Sequence, residues 1–295
     1  MNDELVSALL KDVGLRAVMV SAGALSRDAR DKHEAGSASG ALFAEALAGA
    51  LLLASLQKED ARVQVQLECS GPMRGLFADA GSDGTVRGFV KNPHLAMTGT
   101  GEFRWRPVLG NSGFLSVLRE MKPGEFYRSS VELEAFDFPQ DLERYFTASE
   151  QTDSRVFIDV LGTAGEPIHQ VVGLLLQPLP DGDRAVLKTL GDALAAGRFQ
   201  QVLREAHAGV VAMLTALLGP DVGPLDIMSR YPVAYRCTCS RDRVYRALIA
   251  MGKEELRDLL QKDKQAEATC EFCTTRYVVT EEEIITLLKS LETVN

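Results

Sequence analysis

The sequence predicts an α+β fold: an N-terminal α/β core with a mixed sheet and packed helices, a helical linker, and a small C-terminal cysteine-bearing α+β domain. Three observations predict it. A run rich in Ala and Leu precedes several apolar strands, a helical segment interrupted by glycines follows them, and four cysteines lie in the last 60 residues. At 295 residues, the chain also reaches the size at which one hydrophobic core gives way to several domains.

The core begins with a predicted helix over 36–57, GSASGALFAEALAGALLLASLQ, whose small residues suit close packing against a sheet. Its stretch from Ala41 to Leu56 has an amphipathic pattern, contains Glu45, and falls short of the roughly 20 apolar residues of a membrane span. The next segment, ARVQVQLECS, alternates apolar and polar residues and predicts a half-buried strand with Cys69 as a core thiol. The turn-forming GSDG then predicts a hairpin over 73–91.

The remaining core elements follow from shorter patterns. Trp105 is expected on an exposed strand, and a helix is expected between Gln140 and Ser149. Further strands are predicted over 101–106, 126–134, 154–161 and 168–176.

A linker is predicted after the core, because LLLQPLPDGDR marks a boundary near Pro180. Residues 184–218 have apolar residues at helical spacing, with Gly191 and Gly197 weakening the helix, and GPDVGPLD is expected to end it. The predicted domains are therefore a core over 1–180, a metastable helical linker over 181–230 and a cysteine-bearing domain over 231–295.

Composition disfavours several classes of protein. The formal charge of −9 opposes binding to a phosphate backbone, and residues 231–295 contain 10 Lys or Arg against 11 Asp or Glu. The N-terminus MNDELVSALLKDVGLR does not resemble a signal peptide, so a cytosolic location is expected, with neither nucleic acid nor a membrane as partner. A reducing cytosol would hold the cysteines as thiols or metal ligands.

The C-terminal cysteines form two short pairs, Cys237-Thr-Cys239 and Cys270-Glu-Phe-Cys273, which are separated by 30 residues. Such pairs can converge on one zinc ion as four thiolates, and the ion would contribute folding energy. A static structural zinc site is one interpretation. The other is a redox site, because a disulfide across CxC would be strained and therefore easily reduced again.

Ordinary secondary structure is expected around the cysteines. Ser240 is placed to cap a helix that ends at Gly252, where a second helix begins. After a strand in TTRYVV, Thr280 and Glu283 form a capping-box pattern for the last helix.

At these residues the sequence resembles the redox-regulated holdase chaperones of the heat shock protein 33 family. The resemblance rests on RCTCSRDRVYRALIAMGKEELRDLL and ATCEFCTTRY, and upstream on QLECSGPMRGLFADAGSDGTVRGFV, YFTASEQT and LLLQPLP, in the family's order. It spans most of the chain and is weakest from Ala185 to Asp226.

The resemblance implies a non-enzymatic chaperone that binds one zinc ion in the reduced state through Cys237, Cys239, Cys270 and Cys273. It further implies that oxidation joins Cys237 to Cys239 and Cys270 to Cys273, releases zinc, unfolds the linker and exposes apolar surface to unfolding client proteins. Dimerisation when oxidised and hand-off of clients to ATP-driven foldases are also implied.

Two other functions remain open from the residues alone. A four-cysteine zinc ribbon can present loops to nucleic acid, although the local charge balance opposes it. A thiol oxidoreductase would exchange disulfides through one cysteine pair, although four zinc ligands leave no free nucleophile. A nucleotide-driven chaperone is disfavoured, since Gly252-Lys253 is followed by Glu254 and no P-loop is present.

Overall fold

A computed structural model describes residues 2–58, 60–97, 105–122, 124–163, 166–205 and 208–293 of the protein. Most of the strand predicted over 101–106 lies outside the described residues. The chain forms two compact units, Met1–Arg236 and Cys237–Asn295, which are described separately.

The strands run in chain order as β1 (Glu4–Leu10), β2 (Leu15–Ser21), β3 (Arg62–Cys69), β4 (Gly75–Gly81), β5 (Thr85–Val90), β6 (Gly113–Lys122), β7 (Glu125–Glu132), β8 (Arg155–Thr163), β9 (Glu166–Pro178), β10 (Asp226–Pro232), β11 (Ala234–Tyr235), β12 (Ala266–Thr269) and β13 (Arg276–Val279). The helices are α1 (Gly23–Lys32), α2 (Ser37–Ala54), α3 (Arg106–Leu109), α4 (Phe138–Glu150), α5 (Arg184–Ala193), α6 (Phe199–Leu203), α7 (Val210–Val222), α8 (Arg241–Met251), α9 (Lys253–Lys262) and α10 (Glu281–Thr293). A 3-10 turn (Lys11–Val13) joins β1 to β2, and a π-helical turn (Leu194–Arg198) joins α5 to α6.

Two sheets form the N-terminal unit. The five-stranded sheet has the order β10-β1-β2-β9-β8 and is antiparallel throughout. The six-stranded sheet has the order β11-β5-β4-β3-β6-β7, and its single parallel pairing, between β11 and β5, makes it mixed. These sheets and their packed helices confirm the predicted α+β class.

Helix α2 packs against strands of both sheets, and every residue from Ala38 to Ala54 is buried. The prediction of an amphipathic helix is therefore wrong, because strands of both sheets and the helices α1 and α4 together cover all its sides. Length and composition alone would let Ser37–Ala54 cross a membrane, but 94% of that window is buried inside the fold, as in a core helix.

The second face of the five-stranded sheet is covered by α5, α6 and α7. We call this layer the helical cover (184–222). It buries the residues predicted from helical spacing, which pack with the sheet side chains Val6, Ala8, Leu10, Ala17, Met19, Val172, Leu174 and Leu176. The cover residues are Leu187, Leu190, Leu194, Phe199, Val202, Leu203, Val210, Met213, Leu214, Leu217, Leu218 and Val222.

The two glycines that were predicted to weaken the helix differ in the structure: Gly191 is buried within α5, and only Gly197 interrupts the helical backbone. A Cβ on Gly191 would lie 2.6 Å from the Arg155 guanidinium carbon, and Gly197 has a φ of +112° inside the π-helical turn. Helix α7 runs to Val222, four residues beyond the predicted end, because the left-handed residue that stops it is Gly223, with φ +71°.

Several strands were not predicted. Strands β1 and β2 form a hairpin whose buried residues do not alternate, and β10 is mostly exposed along its length. Strand β10 nevertheless extends the five-stranded sheet, with Glu4 opposite Pro232 and Leu9 opposite Asp226. Pairing over such a distance leaves no local pattern in the sequence.

Trp105 is not on an exposed strand. It is 9% exposed, directly precedes α3, and its indole Nε1 donates to Glu45 Oε1 at 3.2 Å. The other carboxylate oxygen of Glu45 is buried and has no hydrogen-bond partner among the described residues. Burial raises the pKa of Glu45 well above its ordinary value, and the Asp137 and Asp159 charges raise it further.

The substitution Glu45→Gln should make the unfolding free energy less sensitive to pH. The folded protein retains this proton above pH 4.5, the ordinary Glu pKa, where the unfolded chain releases it. Wild-type stability should therefore fall as pH rises above that value, by at most about 1.4 kcal/mol per pH unit from this group. Urea unfolding of both proteins at a series of pH values measures the difference, which should grow with pH.

The matched control is Glu132→Gln, since Glu132 is exposed on β7. It should follow the wild-type pH profile. A constant difference between the wild type and the Glu45→Gln variant across the pH range would contradict a buried, protonated Glu45.

Candidate metal centre

The four predicted cysteines lie on two short segments of the C-terminal unit. Cys237 and Cys239 precede α8, whose N-cap Ser240 accepts a hydrogen bond from the Arg243 backbone N–H, as predicted. Cys270 and Cys273 lie in the turn between β12 and β13. In that turn the Cys270 N–H donates to the Thr275 carbonyl at 3.0 Å.

The structure brings all four sulfurs together. Their Sγ atoms lie within 4.8 Å of one another, with Cys237 and Cys270 3.6 Å apart and Cys239 and Cys273 3.3 Å apart. Four thiolates at about 2.3 Å from one tetrahedral zinc ion would be about 3.8 Å apart. The sulfur cluster therefore fits a single metal ion.

Polar groups next to the cluster can orient the sulfurs. The Tyr277 hydroxyl donates to Cys239 Sγ at 3.0 Å, and the Cys239 backbone N–H donates to Cys237 Sγ at 3.4 Å. The Thr275 hydroxyl lies 3.2 Å from Cys273 Sγ. Such contacts satisfy sulfur lone pairs that a metal ion leaves free, and they fix the ligand geometry.

The thiols of the cluster differ in acidity. Burial is the main cause that raises the pKa values of Cys237, Cys239 and Cys270. Burial acts in the same direction on Cys273. Its hydrogen bonds with the Thr275 side chain and backbone and with neighbouring thiols outweigh burial and lower the Cys273 pKa to about 7. Since a metal binds thiolates, loading this site must release protons.

All five cysteines are free thiols in this structure. Two sulfur pairs join different segments at 3.6 Å or less, Cys237 with Cys270 and Cys239 with Cys273. The disulfides that the resemblance implies would instead join sulfurs of the same segment, and they stay a prediction.

Cys69 lies at the end of β3 in the N-terminal unit. Its side chain is partly buried against the main core, and burial raises the pKa of its thiol. A core thiol was predicted; the structure shows a partly exposed one with low acidity.

The apolar core of the C-terminal unit is small. Its buried apolar residues are Leu248, Leu256, Ala266, Val279, Ile284 and Leu288. A unit of this size has little burial energy, so a metal ion bound by four thiolates would contribute much of its stability.

A capping box and an ion pair fix the start of α10 and link it to the start of α8. Glu283 forms the predicted capping box with Thr280, whose N–H donates to Glu283 Oε2 at 2.8 Å. The Arg241 guanidinium also binds Glu283 at 2.7 and 2.8 Å, and it is the main cause that lowers the Glu283 pKa to about 2. Sequence reasoning found the capping box and missed the ion pair, because nothing local links residues 42 positions apart.

Comparison with known proteins finds relatives that are similar to this chain over nearly its whole length. The model of the family described as "Hsp33 protein" matches residues 3–280. The 33 kDa chaperonin of Acaryochloris marina is 36% identical over 298 residues, covering 99% of each chain. The 33 kDa chaperonin of Cyanothece sp. is 34% identical over 297 residues, covering 99% of this chain and 98% of the relative.

A solved structure agrees with these relatives. The crystal structure of the 33 kDa chaperonin from Thermotoga maritima superposes with a TM-score of 0.87 at 26% identity, covering 100% of both chains. The resemblance drawn from the cysteine segments is thereby confirmed over nearly the whole length. The chain belongs to the Hsp33 family of chaperones.

Proposed function

We propose that this protein is a redox-regulated, ATP-independent holdase chaperone of the cytosol, with zinc bound to its four clustered cysteines in the reduced state. The observation that carries the proposal is the convergence of four sulfurs within 4.8 Å in a unit with a small apolar core. Membership of a chaperone family supports the proposed activity, and the cysteine cluster supports its proposed regulation by oxidation.

Oxidation is the proposed signal. Joining Cys237 to Cys239 and Cys270 to Cys273 forms two S–S bonds. Each bond forms from two thiolates as one hydrogen peroxide molecule takes two electrons and, with two protons, becomes two water molecules. The disulfides no longer offer four thiolates, so the C-terminal unit loses the metal and the folding energy it contributed.

The helical cover (184–222) is proposed to convert that loss into exposed apolar surface. In chain order β10 and β11 lie between this cover and the cysteine segment, and the cover contains Gly191, Gly197 and Gly209, the last with a φ of +141° at the start of α7. If the cover detaches, the apolar second face of the five-stranded sheet becomes accessible. Exposed apolar surface of this kind binds unfolding proteins.

The proposed partners follow from this surface. Unfolding client proteins bind the uncovered face, and oxidised chains pair as homodimers through the same kind of apolar contact. Clients are then passed to ATP-driven foldases. Because residues 231–295 are nearly neutral and the whole chain carries −9, nucleic acid is not a proposed partner.

Oxidation should release zinc and switch on chaperone activity together. Reduced protein and protein treated with peroxide at elevated temperature are compared for zinc content, free thiols and suppression of light scattering by a thermally unfolding client. We expect the loss of one zinc ion and of the four clustered thiols per chain, with activity in the oxidised sample. A Cys69→Ser background removes the fifth thiol from the count.

Two outcomes would contradict this proposal. Equal suppression of aggregation by reduced and oxidised protein would exclude a switch. Steady reduction of a disulfide substrate by the zinc-loaded protein would favour a thiol oxidoreductase.

Loosening the helical cover should activate the protein without oxidant. Leu214 on α7 is fully buried against the five-stranded sheet, so Leu214→Ala should cost about 2–5 kcal/mol of packing energy. We expect this variant to suppress client aggregation while it keeps its zinc and all its thiols. Light scattering with parallel zinc and thiol assays measures both properties.

Thr215→Ala is the control on the same helix, because Thr215 is exposed and its hydroxyl donates to the Val211 carbonyl within its own helix. This control should stay inactive until oxidised. A Leu214→Ala protein that is destabilised yet inactive when reduced would exclude the cover as the part that releases the client surface.

A further inference from the structure

A cavity of about 430 Å³ lies in the N-terminal unit, where β2 and β9 meet the C-terminal end of α4. Its wall includes part of the segment YFTASEQT and the end of LLLQPLP, to which the cysteine chemistry gives no role. Three arginines line it, Arg16, Arg119 and Arg184, together with the apolar side chains of Leu56, Phe146 and Leu179. A cavity of this size is in the range that holds a small ligand.

A hydrogen bond to the buried side-chain amide of Gln177 holds Arg16 in place. It lies opposite Gln177 in the β2–β9 pairing, and its Nη2 donates to Gln177 Oε1 at 2.7 Å. The Gln177 amide nitrogen donates to Ser154 Oγ at 2.9 Å, and Gln177 and Ser154 are 2% and 7% exposed. The amide orientation is therefore fixed, and it fixes one edge of the guanidinium.

The charge of Arg16 is not neutralised within the described residues. Arg119 pairs with Glu150 at 2.7 Å, and Arg184 pairs with Asp153 at 3.0 Å. Across the described ranges, no carboxylate lies within 4.0 Å of Arg16, and its buried Nε has no hydrogen-bond partner. Burial lowers the pKa of Arg16, as expected for a cation without a counter-charge.

We propose that this cavity binds a small organic monocarboxylate, with the carboxylate on Arg16 and the apolar body against Leu56, Phe146 and Leu179. Guanidinium and carboxylate match in planar geometry and charge. With Glu150 and Asp153 already paired, the lining arginines leave one positive charge, which suits a monoanion. A phosphate monoester, which carries about −1.5 to −2 charges, would exceed it.

The test is a titration of the full-length reduced protein, labelled with ¹⁵N, with sodium benzoate. Sodium chloride at the same ionic strength is the control for screening. We expect saturable shifts of the Arg16 Nε–H and Gln177 side-chain resonances, with a dissociation constant in the millimolar range or tighter. Sodium phosphate should bind more weakly than benzoate.

Matched variants then test whether the positive charge of Arg16 binds the carboxylate. Arg16→Gln should weaken benzoate binding at least about tenfold, and Arg16→Lys should lose less because it keeps the charge. Arg62→Gln, which removes a part-buried arginine bound to Asp79 outside the cavity, should bind as wild type does.

Three results would overturn the proposal: no saturable shift at Arg16 in the wild type, equal affinity in Arg16→Gln, or tighter binding of phosphate than of benzoate. If Arg16→Gln does not fold, the wild-type titration still decides, because shifts confined to residues outside the cavity exclude the site. None of these results depends on zinc or on chaperone activity.

Discussion

In the C-terminal unit four cysteine sulfurs lie together beside a small apolar core, so a metal ion bound to them would contribute much of the stability of this unit. Among the described residues, six buried apolar side chains form that core, with partly buried ones packed against it. In the N-terminal unit, by contrast, α2 is buried on all sides by strands of two sheets and by α1 and α4. The Arg241–Glu283 ion pair fixes the start of α10 but is exposed, so it contributes little. Loss of that metal ion would therefore destabilise the C-terminal unit far more than the N-terminal unit.

The helical cover combines buried apolar packing with several glycines. Its buried leucines give it a continuous apolar contact with the five-stranded sheet, and its glycines raise the entropy cost of ordering it. Helix α2 has glycines too, but Gly49 is packed against the Phe138 ring, where a Cβ would come within 2.6 Å. Gly197 has no atom within 4 Å of such a Cβ. One glycine permits tight packing, and the other only permits a turn.

Apart from the convergence of the two cysteine pairs, what could be predicted from the sequence was local. CxC and CxxC spacing, the Ser240 cap, the Thr280–Glu283 capping box and the alternation in β3 all depend on residues within one element, and the structure has them. The pairing of β1 with β10, the Trp105–Glu45 hydrogen bond and the Arg241–Glu283 ion pair join residues far apart in the chain. Their partners are chosen by the tertiary fold, and no spacing rule identifies them.

In the proposed function, the bound metal ion has two effects: it stabilises the C-terminal unit, and it keeps the four sulfurs in the form that an oxidant attacks. Burial raises the pKa of three of the four clustered thiols, which by itself would keep them protonated and slow to react with peroxide. A bound metal holds the same sulfurs as thiolates, the form that is oxidised. The ion that stabilises the C-terminal unit thus also keeps its ligands oxidisable. Because the sulfurs are only partly buried, an oxidant can reach them while the unit is still folded.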